Sequence, residues 1–212
     1  MSAIQKIAYY QGIRSEVPNQ VLARELFNTR DVSGIQEIVN GLDQKEQSVC
    51  SDCLKVLYEI GYLDPTLIAP HVNRFLTLVN SKDNRMVWGA FIALATVASL
   101  KSDEISIQIP TLIEVFNKGS VITVVWGMRL FASLAAASSH HARILIPIML
   151  HTLKTCLPRD IPTHAESMLP CISLDERDLV LEVLRSRFPQ MSPAQAARCK
   201  KVVRKIESLN LI

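Results

Sequence analysis

Two stretches of this chain look alike, Asn84-Arg-Met-Val-Trp88-Gly-Ala and Ile122-Thr-Val-Val-Trp126-Gly-Met, and their tryptophans are 38 residues apart. The same step back from Trp88 reaches Cys50, and the same step forward from Trp126 reaches His164. Each position sits in a run whose apolar residues recur at helical spacing. A period of this length is the mark of stacked helical units, none of which can bury its hydrophobic face alone. Only 7 glycines are present, and Leu, Ile, Val and Ala abound, which favours helices over a turn-rich β fold. The β-branched run Val121–Val125 suits a strand by propensity, but its match to the Asn84–Val97 copy makes it helical.

Punctuation in the sequence predicts about twelve helices. The first covers roughly Ala3–Gly12, and Pro18 opens a second that ends near Asn28, together an irregular N-terminal pair over 1–32. Ser33 and Gln36 read as a capping box for the third. The fourth spans Gln44–Ile60 with Gly61 as its C-cap, and Asp64-Pro65 starts a fifth that runs to about Val79. The first tryptophan helix occupies Asn84–Ser99, and Ser102 opens its successor, which stops at Asn117. Ser120 caps the second tryptophan helix, and His140–Cys156 forms the next. The Pro158–Pro162 turn leads into a short helix through Cys171. Ser173 with Glu176 and Ser192 with Gln195 are two further capping boxes, the last introducing a capping helix over 193–208. No linker or low-complexity segment interrupts the series, so the expectation is one domain over 1–212.

The segments Ile109-Pro110-Thr-Leu-Ile-Glu-Val-Phe116 and Ile146-Pro147-Ile-Met-Leu150 resemble the Pro-containing first helix of a HEAT repeat, and Ala69–Leu76 is a third copy. Lys82–Met86 followed by Ala93-Leu94 is similar to that family's turn and second helix. The resemblance covers about residues 33–208. It departs from the family where the arginine that commonly follows the turn aspartate is replaced by Val87 and Val125. It implies an all-α superhelix of the HEAT/armadillo kind, about six antiparallel helix pairs, and a role as an interaction scaffold rather than an enzyme.

Register across the repeats separates two faces. The tryptophan column reads Cys50/Leu54/Leu57, Trp88/Ile92/Ala95, Trp126/Leu130/Ser133, His164/Met168/Cys171 and Val202/Ile206/Leu209, which predicts a continuous core with the tryptophans inside it. Gly89 and Gly127 then make room for neighbouring helices. The opposite stripe is polar at both ends: Ser48, Asp52, Lys55 and Glu59 in one helix, and Lys200, Arg204 and Glu207 in another. In the middle it becomes Met86, Ala90, Ala93, Val97 and Val124, Met128, Phe131, Ala135. Either another helix covers that apolar stretch, or it is a contiguous patch for a protein, a peptide or a second copy of the chain. The functional expectation from the sequence is this patch.

Signs of chemistry are sparse. Cys50 and Cys53 form a CxxC with no second pair to complete a zinc site and no strand before them to suit a redox motif; buried thiols explain them better. The odd total of five cysteines fits a reducing, cytoplasmic setting. His164 reads as a core-edge histidine bonded to a backbone carbonyl. Trp126 with Arg129 suggests an aromatic–cation site, but the helix around them carries no carboxylate. No cofactor and no metal site is expected. Arg198, Lys200, Lys201, Arg204 and Lys205 line one side of the last helix, which suits a solvated cap or, as an alternative function, a nucleic-acid contact. The net charge of +3 is too mild for an obligate nucleic-acid binder. No signal peptide or membrane-spanning run is evident.

Overall fold

A computed structural model describes residues 2–210 of the chain. Among the described residues the regular structure is entirely helical, with twelve α-helices joined by short 3-10 turns. They are α1 Val17–Thr29, α2 Val32–Asn40, α3 Gln47–Leu63, α4 Val72–Leu78, α5 Asn84–Val97 and α6 Ser102–Ser106. Then come α7 Ile109–Lys118, α8 Val121–Ala137, α9 Ser139–Thr155, α10 Ile161–Met168, α11 Leu174–Arg187 and α12 Pro193–Glu207. The all-α repeat expected from the tryptophan spacing is what forms.

Local chemistry explains most boundaries. Two of the three expected capping boxes are present, at Ser173 and Ser192, and Ser120 Oγ accepts from the Thr123 amide at the start of α8. Several expectations need correction. The stretch expected as a first helix forms only a 3-10 turn at Ile4–Lys6. The cap of α2 is Asp31, whose carboxylate accepts from the Gly34 amide at 2.9 Å, and not Ser33. The fifth helix is broken into two 3-10 turns, Pro65–Leu67 and Ala69–His71, before α4. Pro65 and Pro70 cause this, since neither offers an N–H and each restricts the residue before it. Pro110 likewise opens α7 and separates it from α6.

Gly61 is not a C-cap. It lies inside α3, where a Cβ would strike the Thr96 side chain. Gly89 and Gly127 have the role expected of them: a Cβ on Gly89 would press on Leu54, and one on Gly127 would overlap the Phe116 ring.

The chain divides into two compact units, Met1–Gly127 and Met128–Ile212. In the first, α3 packs against α1, α2 and α5, and α4 against α5 and α6. In the second, α9 packs on α10 and α11, and α12 on the same two helices. A buried arginine completes one helix there. Arg187 donates to the carbonyls of Leu153, at 3.2 Å, Cys156, at 2.6 Å, and Lys154, capping the end of α9. Those are the orphan acceptors that a helix C-terminus leaves behind.

Candidate functional site

The apolar stripe expected as a docking surface is core. Met86 is 3% exposed, Met128 and Phe131 are 0% exposed, and Ala90, Ala93, Val97 and Ala135 are buried as well, with Val124 half-buried. The physical reason lies in α5. It is apolar nearly all round, from Met86 through Val97, and a helix of that kind is packed on several sides rather than presented to a partner. The polar stripes of the end helices made the middle stripe look like a patch; it is what an inner helix requires.

The tryptophans move the other way. Expected inside the core, Trp88 and Trp126 are both half-buried. They belong to a connected row of rings in the first unit. Trp88 lies 6.4 Å from Tyr58 between centroids, Tyr58 lies 5.8 Å from Tyr62, and Tyr62 stacks on Trp126 at 5.6 Å with planes 28° apart. Such spacings are those of favourable aromatic pairs. Tyr58 and Tyr62 stand one turn apart on α3, and Tyr62 is 45% exposed. Sequence reasoning missed this row. The signal was there: Lys55, Tyr58 and Tyr62 share a helix face at i, i+3 and i+7.

Beside the row is a cleft of about 360 Å³, bounded by the segment Ala8–Glu16, α3 and the start of α5. Its floor is a closed hydrogen-bond system. Asn19, fully buried, accepts from the Ala8 amide at 2.9 Å and donates to Asp52 Oδ1 at 2.8 Å, while the Tyr9 amide donates to Asp52 Oδ2 at 2.7 Å. Asn19 and Asp52 thereby fasten the irregular N-terminal strap to α3. On the wall, Lys55 bridges Glu16 at 2.9 Å and Glu59 at 2.7 Å, with its ammonium 4.9 Å from the centre of the Tyr58 ring. Burial works against the Lys55 charge, yet the bonds to Glu59 and Glu16 outweigh it and raise its pKa. Burial raises the Tyr58 phenol, and Lys55 opposes that shift. Trp88, Arg14 and Arg85 complete the rim.

The remaining candidates lie outside this cleft. Cys50 and Cys53 are buried free thiols, as the sequence suggested. Burial pushes Cys53 up to about 12, so it stays protonated and unreactive at neutral pH. His164 is buried, but its Nδ1 finds no hydrogen-bond partner, which corrects the expected bond to a carbonyl. Burial lowers its pKa, with Asp160 pulling weakly the other way. Among the described residues no group of three His, Cys, Asp or Glu is placed to hold a metal ion, and no helix is long and apolar enough to cross a membrane. On α12, Arg198, Lys200, Lys201, Arg204 and Lys205 are all exposed, opposite the buried Cys199, Val202 and Ile206. Arg198 is engaged with Glu166 at 2.6 and 3.0 Å.

Neither a protein-family model nor a curated protein sequence matches the chain. Solved structures do match, over nearly all of it. A designed armadillo repeat protein in complex with the peptide (KR)4 has a TM-score of 0.66 at 12% identity, covering 96% of this chain and 98% of that one. A set of computationally designed armadillo repeat proteins for modular peptide recognition gives 0.62 at 11% identity, with 96% and 98% covered. An engineered protein solved by a structural genomics consortium gives 0.62 at 15% identity, with 98% of each chain covered. The chain is thus an all-α repeat protein, its helices packed in pairs, with the fold of armadillo repeat proteins.

Proposed function

We propose that this protein is a non-enzymatic peptide- or protein-binding module whose contact surface is the Trp88–Tyr58–Tyr62–Trp126 row and the cleft beside it. The observation that carries this reading is the row itself. Of four rings connected at 5.6 to 6.4 Å, Trp88 and Trp126 are half-buried and Tyr62 is 45% exposed, and these three offer a rigid amphipathic surface of the kind that dominates binding interfaces, with the buried Tyr58 holding them in place. The likeness to a designed armadillo repeat protein in complex with a peptide supports the same use of the fold. The residues that line the cleft include no cysteine or histidine, and its two carboxylates, Asp52 and Glu16, are engaged by Asn19 and Lys55.

The two tryptophans of the chain both belong to the row, so their fluorescence reports on it directly. Titration with a peptide library should shift that emission for the peptides that bind. Trp88→Ala with Trp126→Ala should abolish capture of the same peptides while the helical circular dichroism persists. Unchanged capture by the double variant would defeat the assignment. A nucleic-acid role has the exposed Lys200, Lys201, Arg204 and Lys205 in its favour. It requires salt-sensitive retention on immobilised duplex that Lys200→Glu with Arg204→Glu removes.

A further inference from the structure

Charge divides unevenly among the groups that line the cleft. The cations are Arg14, Lys55 and Arg85; the carboxylates are Glu16 and Asp52. Both carboxylates are already engaged. Asp52 accepts from Asn19 on one oxygen and from the Tyr9 amide on the other, and Glu16 pairs with Lys55. Lys55 in turn sits between Glu16 and Glu59. At the mouth of the smaller recess next door, Asp83 caps α5 through the Arg85 amide at 2.7 Å.

The charged groups left without any partner are cations. Among the described residues neither the Arg14 nor the Arg85 guanidinium takes part in an ion pair or a side-chain hydrogen bond, and both side chains are exposed at the rim. Ser48 and Ser51 on the first turns of α3 line the same cleft and add hydroxyl donors. A cleft whose carboxylates are engaged and whose guanidinium groups are open favours a ligand that supplies acceptors. We infer that the occupant is an acidic peptide segment, with its carboxylates on Arg14 and Arg85 and its apolar side chains on the accessible part of Trp88. This rests on the peptide-binding reading of the same surface. It assigns a ligand charge opposite to that of the (KR)4 peptide held by the designed relative in fold.

Fluorescence anisotropy on the full chain tests it with labelled extended peptides. One alternates glutamate and leucine, a second alternates lysine and leucine, and a third carries phosphoserine in place of glutamate. The glutamate peptide should bind at least about tenfold tighter than the lysine peptide, with the margin shrinking as salt rises. Arg14→Glu with Arg85→Glu should remove that preference without lowering the melting temperature, since both side chains are exposed. Trp88→Ala should weaken the glutamate peptide as well. Equal or better binding of the lysine peptide overturns the charge assignment and leaves the peptide-binding reading standing. Binding of the phosphoserine peptide alone, a glutamate preference that survives both arginine reversals, or undiminished binding of the glutamate peptide by Trp88→Ala, also overturns it. Failure of all three peptides, with no response in the tryptophan library titration, overturns both readings.

Discussion

Arg198 grips Glu166 with two nitrogens, Nε at 3.0 Å and Nη2 at 2.6 Å, one on each carboxylate oxygen, and so joins α12 to α10. The geometry is the bidentate fork that makes Arg–carboxylate pairs strong, but both side chains are nearly half exposed, so water and salt weaken it. Arg198→Ala should cost about 0.5–1 kcal/mol, less at high salt. The hydrogen bonds from Arg198 hold the Glu166 carboxyl below its ordinary 4.5. The stability contributed by this pair is therefore present above 4.5 and is lost as pH falls through the lowered folded value. Chemical denaturation of the variant and the unmodified protein across that range measures it.

Acid should also act through His164. Its buried imidazole resists protonation and titrates below the ordinary 6.5. The unfolded chain then binds the extra proton first as pH falls. The folded state is undisturbed above 6.5 and loses stability as pH drops below it toward the lowered folded value. His164→Leu should flatten that part of the melting-temperature profile. An unaltered slope would show that His164 does not contribute.

Met128→Asp with Phe131→Asp should unfold the protein. Each places a carboxylate where exposure is 0%, and loss of a buried Phe side chain alone costs about 3–5 kcal/mol. A circular dichroism melt decides between this outcome and the selective loss of binding that an exposed stripe would give.

Gly127→Ala gives a test with the sign reversed from expectation. Within a helix, alanine in place of glycine is ordinarily favourable by about 0.5–1 kcal/mol. Here the added methyl meets the Phe116 ring, with Phe91 close behind. Overpacking of this kind costs about 1–3 kcal/mol, so the variant should melt lower.

Much of the fold was legible because it rests on spacing. The 38-residue interval, the capping boxes at Ser173 and Ser192, and the small residues Gly89 and Gly127 all act through local sequence or strict register. The site was less legible because exposure is set by how many neighbours a helix has, which register alone does not reveal. Met86 and Met128 lie in stripes that are apolar for the same reason a patch would be. The cleft was hidden for a different reason. Asn19, Asp52 and the Ala8 and Tyr9 amides are brought together by an irregular strap with no periodic signal of its own. The aromatic row falls between these cases: Tyr58 and Tyr62 were readable on one helix face, but their meeting with Trp88 and Trp126 depends on packing between helices.

Arg187 sets an order on events in the second unit. The carbonyls it caps at Leu153, Lys154 and Cys156 precede it by 34, 33 and 31 positions. As the chain leaves the ribosome from its N-terminus, the end of α9 stays unfinished until α11 has followed it out. Helical turns form far faster than residues are added, so this delay belongs to synthesis rather than to refolding of the whole chain. Arg187→Met, which keeps the stem and removes the donors, should leave that terminus frayed at all times. It would be seen as faster amide exchange in the last turn of α9, and as a loss of about 2–3 kcal/mol for acceptors left without a charged donor.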